Sequence, residues 1–111
     1  MTGEPRGPQL TRWTGAEPPI EQAIERIFRE ARLSPSRWSN GPGDRYAAHS
    51  HSYHKVLYCL RGSIRFTCIL ETGEHAFDLA PGDRLDIPPR LPHSAAVGPR
   101  GAACMEAARQ P

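Results

Sequence analysis

From Arg45 onward the apolar residues recur with a period of two, and turn signals interrupt them about every 8–12 residues. The spacing predicts strands near residues 45–49, 53–60, 63–70, 75–79, 83–87, 93–97 and 102–107. Arg61-Gly62, Glu71-Thr72-Gly73-Glu74, Pro81-Gly82-Asp83 and Pro88-Pro89-Arg90 are the expected turns. No helical stretch fits between these strands, which excludes parallel crossovers. An all-β antiparallel sandwich or barrel over 43–107 is the expected solution.

The segment before it has a different period. Ile20, Ala23, Ile24, Ile27, Phe28 and Ala31 recur at three- and four-residue spacing, which predicts one amphipathic helix over 19–33. Pro18 and Pro19 suit its start, and Glu21 complements the positive end of its dipole. Glu25 and Arg29 form an i,i+4 pair on the polar face. Ser34-Pro35 closes this unit at residue 34, because a residue before proline avoids the helical region. Residues 1–18 are mostly Gly, Pro and polar residues, with Trp13 as the large apolar anchor, and read as a flexible arm.

Leu, Ile, Val and Phe make up only 19 of the 111 residues, so the core is small and self-association, most simply a homodimer, is expected. With 14 basic and 12 acidic residues and no long run of like charge, no nucleic-acid partner is expected. No run of 18 apolar residues suggests a membrane span. The first 19 residues lack the apolar centre of a leader peptide. Three cysteines, an odd number, argue against a disulfide scaffold. A cytoplasmic protein is the expectation.

His49 and His51 stand two residues apart. On a strand both imidazoles share one face, about 6–7 Å apart at the backbone, where they can share one divalent ion. The pair is set in a longer pattern, Gly43-x5-His49-x-His51-x3-Lys55-x6-Gly62, followed by Gly82-x5-Pro88-x4-His93. This pattern resembles the two motifs of the cupin superfamily over roughly residues 43–97. The resemblance implies a small jelly-roll-like barrel with one divalent transition metal (iron, zinc, nickel or manganese) held inside by His49, His51 and His93.

Three positions depart from the family pattern. Arg90 replaces a glycine and Val97 an asparagine. Lys55 stands where the family usually has its glutamate ligand. A protonated amine has no lone pair to donate. At ~6 Å from a divalent ion it would be repelled by ~5 kcal/mol. Lys55 is therefore neutral, turned away, or paired with an anion, either an acidic side chain or a substrate carboxylate. It is also the only lysine in the chain. Strand alternation puts it on the face of His49 and His51, where a compact amine acts as acid, base or anion anchor.

His54 has the opposite parity and points outward on a regular strand, whereas a β-bulge would exchange it with Lys55; the regular strand is the expectation. Tyr53 shares the inward parity and joins Lys55 as a candidate catalytic residue. His75 reads as a solvated strand end, Cys59 and Cys68 as small core residues, and Cys104 as lying near a mobile tail.

The function these readings support is a metal-dependent enzyme acting on a small, anionic molecule. The resemblance allows dioxygenase chemistry with iron, or isomerase and lyase chemistry with zinc, nickel or manganese acting as a Lewis acid. The competing class is a non-enzymatic module that binds a sugar or another small ligand and uses its metal for structure.

Overall fold

The computed structural model describes residues 7–110; residues 1–6 of the expected arm lie outside the described residues. In chain order the elements are β1 (Gln9–Thr11), α1 (Glu21–Glu30), β2 (Ser36–Asn40), β3 (Arg45–His49), β4 (His54–Leu70), β5 (Gly73–Leu79), β6 (Arg84–Ile87) and β7 (His93–Arg109). Every strand pairing is antiparallel. The strands follow the path β1-β6-β4-β7-β2, with β3 also on β7 and β5 also on β4. The fold is a small jelly-roll β-barrel with α1 on its outside.

β4 and β7 form the spine. Lys55 to Cys59 pair with Ala108 to Cys104, and Ile64 to Cys68 pair with Val97 to His93. The register shifts between these two stretches, around Gly62. Arg61-Gly62, expected as a hairpin turn, is thus a bulge inside one long strand. Gly62 has φ 73° and faces Gly101, with φ 79°. A Cβ on Gly62 would stand 1.9 Å from the Gly101 carbonyl oxygen, so only glycine permits the close approach that bends the ribbon. The two strands expected at 93–97 and 102–107 are likewise one strand.

Both faces of β4 are buried, which explains its unbroken Val56-Leu57-Tyr58-Cys59-Leu60 run. Leu57 and Cys59 point into the barrel with Ile64, Phe66, Leu85 and Ile87. Val56, Tyr58 and Leu60 point outward and are covered by Ile24 and Phe28 of α1. Phe28 meets Tyr58 edge-on at 5.4 Å. Burial of each of these helix side chains contributes about 1.5–3 kcal/mol. The apolar stripe of α1 is therefore used within its own chain.

α1 is shorter than the expected 19–33. It ends in a Schellman turn, with Arg32 N–H donating to the Arg29 carbonyl and Leu33 N–H to that of Phe28, both at 2.9 Å. Arg32 takes φ 62° where glycine is usual. Leu33 then packs on the same cluster as Phe28. The Glu25–Arg29 pair is present at 2.8 Å.

The reading of 1–18 as a flexible arm is corrected for its middle part. Gln9–Thr11 adds an edge strand to β6. Asp83 holds it there: its carboxylate accepts from Trp13 N–H at 2.9 Å and Arg12 Nη1 at 2.8 Å, and closes its own turn through Ala80 N–H at 2.9 Å. β2, in a segment with no period, is an addition to the expected strands. Cys104, expected near a mobile tail, is fully buried opposite Cys59 because β7 continues through it. Among the described residues, no helix is long and apolar enough to cross a membrane.

Candidate metal centre

β3 ends at His49 and β7 begins at His93, and the two residues are register partners. His51 follows two residues later, in the loop leading to β4. The pairing brings three rings together, with centroids 4.7 Å apart for His49–His51, 4.6 Å for His49–His93 and 5.3 Å for His51–His93. One nitrogen from each ring lies within 4.8 Å of the other two.

The backbone decides which nitrogen is free. His93 Nδ1 is 2.9 Å from the Leu91 carbonyl oxygen, and His49 Nδ1 is 3.0 Å from that of Ala47. A carbonyl only accepts, so each Nδ1 carries the proton and each Nε2 keeps its lone pair. The Nε2 atoms of His51 and His93 are buried without a hydrogen-bond partner among the described residues. Unpaired buried nitrogens are costly, and a shared cation satisfies them. Burial first, then the positive charge of Lys55 and the adjacent His49 ring, lowers the pKa of His51. Burial is also the main cause for His93, where the bond to Leu91 works in the opposite direction. Both rings are thereby kept neutral, the form that ligates. The residues present fit a divalent ion.

Beside the cluster is a cavity of about 230 Å³, smaller than the roughly 300–1,000 Å³ that holds drug-sized ligands. Trp38, Tyr46 and Phe66 form its aromatic walls, and His49, His93, Lys55 and Glu106 its polar lining. Lys55 is 8% exposed, and its Nζ lies 3.4 Å from Glu106 Oε1. The same oxygen accepts from Trp38 Nε1 at 2.9 Å. Lys55 thus has an acidic partner and still lines the cavity.

β4 runs without a bulge from His54 through Tyr58, so His54 has the outward position. There its Nε2 lies 2.8 Å from Asp86, whose carboxylate also takes a two-pronged contact from Arg84. Tyr53 stacks on His51 at 4.8 Å and 21° and does not line the cavity. Burial, then the charge of Glu106, raises its pKa, so the phenol keeps its proton. His75 is exposed and 2.8 Å from Thr72 Oγ1. No cysteine joins the histidine cluster among the described residues.

Of the cavity residues only His49, Lys55 and His93 were expected from sequence; Trp38 and Glu106 are the polar additions. Glu106 carries a faint signal, being the one charge in the small-residue run Ala102–Ala108. Trp38 carries none, since its segment has no period.

An antiparallel jelly roll with two histidines from its first motif and one from its second is a cupin. The chain belongs to the AraC-like ligand binding domain family, whose profile matches residues 37–105. No match is found among the curated proteins. Among solved structures it is similar to oxalate decarboxylase of Bacillus subtilis, a protein with Mn(II) centres, at 27% identity and a TM-score of 0.65 over 75% of this chain and 23% of that one. Oxalate decarboxylase of Lactobacillus farciminis, in a formate complex, matches at 22% identity and TM-score 0.63 over 71% of this chain and 24% of that one. The coconut allergen cocosin matches at 20% and 0.63, over 98% of this chain and 28% of that one. The last two likenesses concern the fold alone. The chain spans about a quarter of the length of each of these proteins.

Proposed function

We propose that the chain is a metal-dependent cupin enzyme: His49, His51 and His93 hold one divalent ion, and a small anionic substrate sits between that site and Lys55. The observation that carries this reading is the pair of buried, unpartnered Nε2 atoms on His51 and His93, beside a cavity that contains a buried amine. When bound, an ion with three protein donors supplies open positions and Lewis-acid polarisation of the substrate.

The protein's own groups then divide the work. Lys55 directs ammonium N–H donors at the anion, and the charge of Glu106 offsets the cost of keeping that ammonium out of water. Trp38, Tyr46 and Phe66 keep the cavity walls apolar, so these interactions are weakly screened. Tyr53 fixes the plane of His51 by stacking.

Isomerase or lyase chemistry is favoured over oxygen chemistry by the 27% identity with a protein that has Mn(II) centres. Elemental analysis of tag-free protein tests this choice. Manganese, zinc or nickel supports it, and iron as the sole metal contradicts it. The family to which the chain belongs is described by ligand binding, and that favours a second reading as a small-ligand binding module. Metal-dependent turnover of a bound carboxylate decides for the enzyme; tight binding with no turnover across a carboxylate panel decides for the module.

A further inference from the structure

We infer that Glu106 is a specificity-determining residue and that it selects a small hydroxycarboxylate, against dicarboxylates. This rests on the reading of a metal-and-anion cup given above.

The two oxygens of Glu106 have different surroundings. Oε1 accepts from Trp38 Nε1 at 2.9 Å and lies 3.4 Å from Lys55 Nζ. Oε2 has no hydrogen-bond partner among the described residues, and the side chain lines the cavity with 22% of its surface exposed. Trp38 can hold the carboxylate because β2 pairs with β7 in register: Ser36 stands opposite Glu106 and Trp38 opposite Cys104, so Trp38 and Glu106 are diagonal neighbours. The indole bond fixes the rotation of the carboxylate. One oxygen is spent on the wall, and the other remains as an acceptor.

Lys55 is also underused. Its 3.4 Å separation from Glu106 is long for a hydrogen bond, and it makes none with other described residues. A side chain this buried has donors to offer a ligand. The cup therefore presents two kinds of recognition. The metal site and the ammonium attract a carboxylate. Glu106 Oε2, an acceptor only, requires a donor. A second carboxylate on the ligand would meet Glu106 with like charge and no proton to share. A ligand ammonium would satisfy Glu106 but be repelled by Lys55 and the ion. A hydroxyl is neutral and donates, and the cavity limits the whole to a few carbons.

Lactate, propionate and malonate share a three-carbon skeleton and separate these cases. Their affinities are measured by calorimetry on the full chain loaded with Mn(II), for the wild type, Glu106→Gln and Trp38→Phe. Direct coordination by the ligand is common to all three proteins and cancels in the comparison. The lactate-to-propionate affinity ratio is expected to fall about 10-fold in Glu106→Gln, in line with loss of a hydrogen bond to a charged acceptor, while malonate binds about 10-fold more tightly than to the wild type. Trp38→Phe, which frees the carboxylate to rotate, lowers the same ratio without improving malonate. Ratios unchanged in both variants, with metal-dependent binding intact, would overturn the inference and leave the cup reading standing. No metal-dependent binding of any of the three by the wild type would overturn both.

Discussion

His93 Nδ1 lies 2.9 Å from the carbonyl oxygen of Leu91, two residues back along the same chain. The contact assigns the proton of a buried ring by local geometry alone. It leaves Nε2 as a lone-pair donor with no hydrogen-bond partner among the described residues, beside the other two histidines.

A pH dependence follows. Burial holds both His51 and His93 below the ordinary value of 6.5. As pH falls, the unfolded chain takes up these protons before the folded one does. The stability they carry is therefore complete above about 6.5 and is lost as pH falls through their folded-state values. The metal-free protein should show a lower melting temperature at pH 5.5 than at pH 8, and His93→Gln should flatten the slope. A profile level across that window contradicts the assignment.

Lys55→Met keeps the length of the side chain and removes its charge. Metal content should stay at the wild-type level, while affinity for a small carboxylate falls roughly 10- to 100-fold, as loss of a charge-assisted bond implies. Parallel metal analysis and anion titration check both halves. A variant that loses its metal, or that binds carboxylates as the wild type does, contradicts the role given to the amine.

Asp83 secures β1 through the N–H of Trp13 and the guanidinium of Arg12, and it is 4% exposed. Asp83→Ala removes the shared acceptor of the N–H groups of Trp13 and Ala80 and of the Arg12 guanidinium. It should cost about 1–3 kcal/mol in urea unfolding and raise amide exchange over Gln9–Thr11. Exchange unchanged there would contradict the clamp.

Gly62→Ala tests the bend of the spine. The substitution forces a side chain into positive φ and into the Gly101 carbonyl. Backbone strain of about 1–3 kcal/mol is the lower bound of its expected cost, read from equilibrium unfolding. A neutral result would mean that the ribbon bends in another way.

The same glycine shows where sequence reasoning reached its limit. Arg61-Gly62 has the composition of a turn, and local chemistry does not distinguish a hairpin from a bulge in a strand that continues. The difference lies in Gly101, 39 positions away. The histidine cluster was legible because motif spacing names all three rings, although His51 joins His49 from the loop after β3 and not from the strand itself. Alternation placed Lys55 on the inner face. Glu106 and Trp38 were hidden because what gives them meaning is the register of β2 on β7, and β2 has no pattern of its own. Gln9–Thr11 is a strand only because a buried carboxylate seventy-odd positions later accepts from the residues beside it.

The most direct test of the account is metal stoichiometry in tag-free protein, wild type beside His93→Ala, by elemental analysis after exhaustive dialysis against Mn(II) or Zn(II) and desalting. The wild type should retain one divalent ion per chain, and His93→Ala should retain almost none while remaining folded by circular dichroism. Full occupancy in the folded His93→Ala protein, or no retained ion in the wild type, would contradict a centre built on His49, His51 and His93.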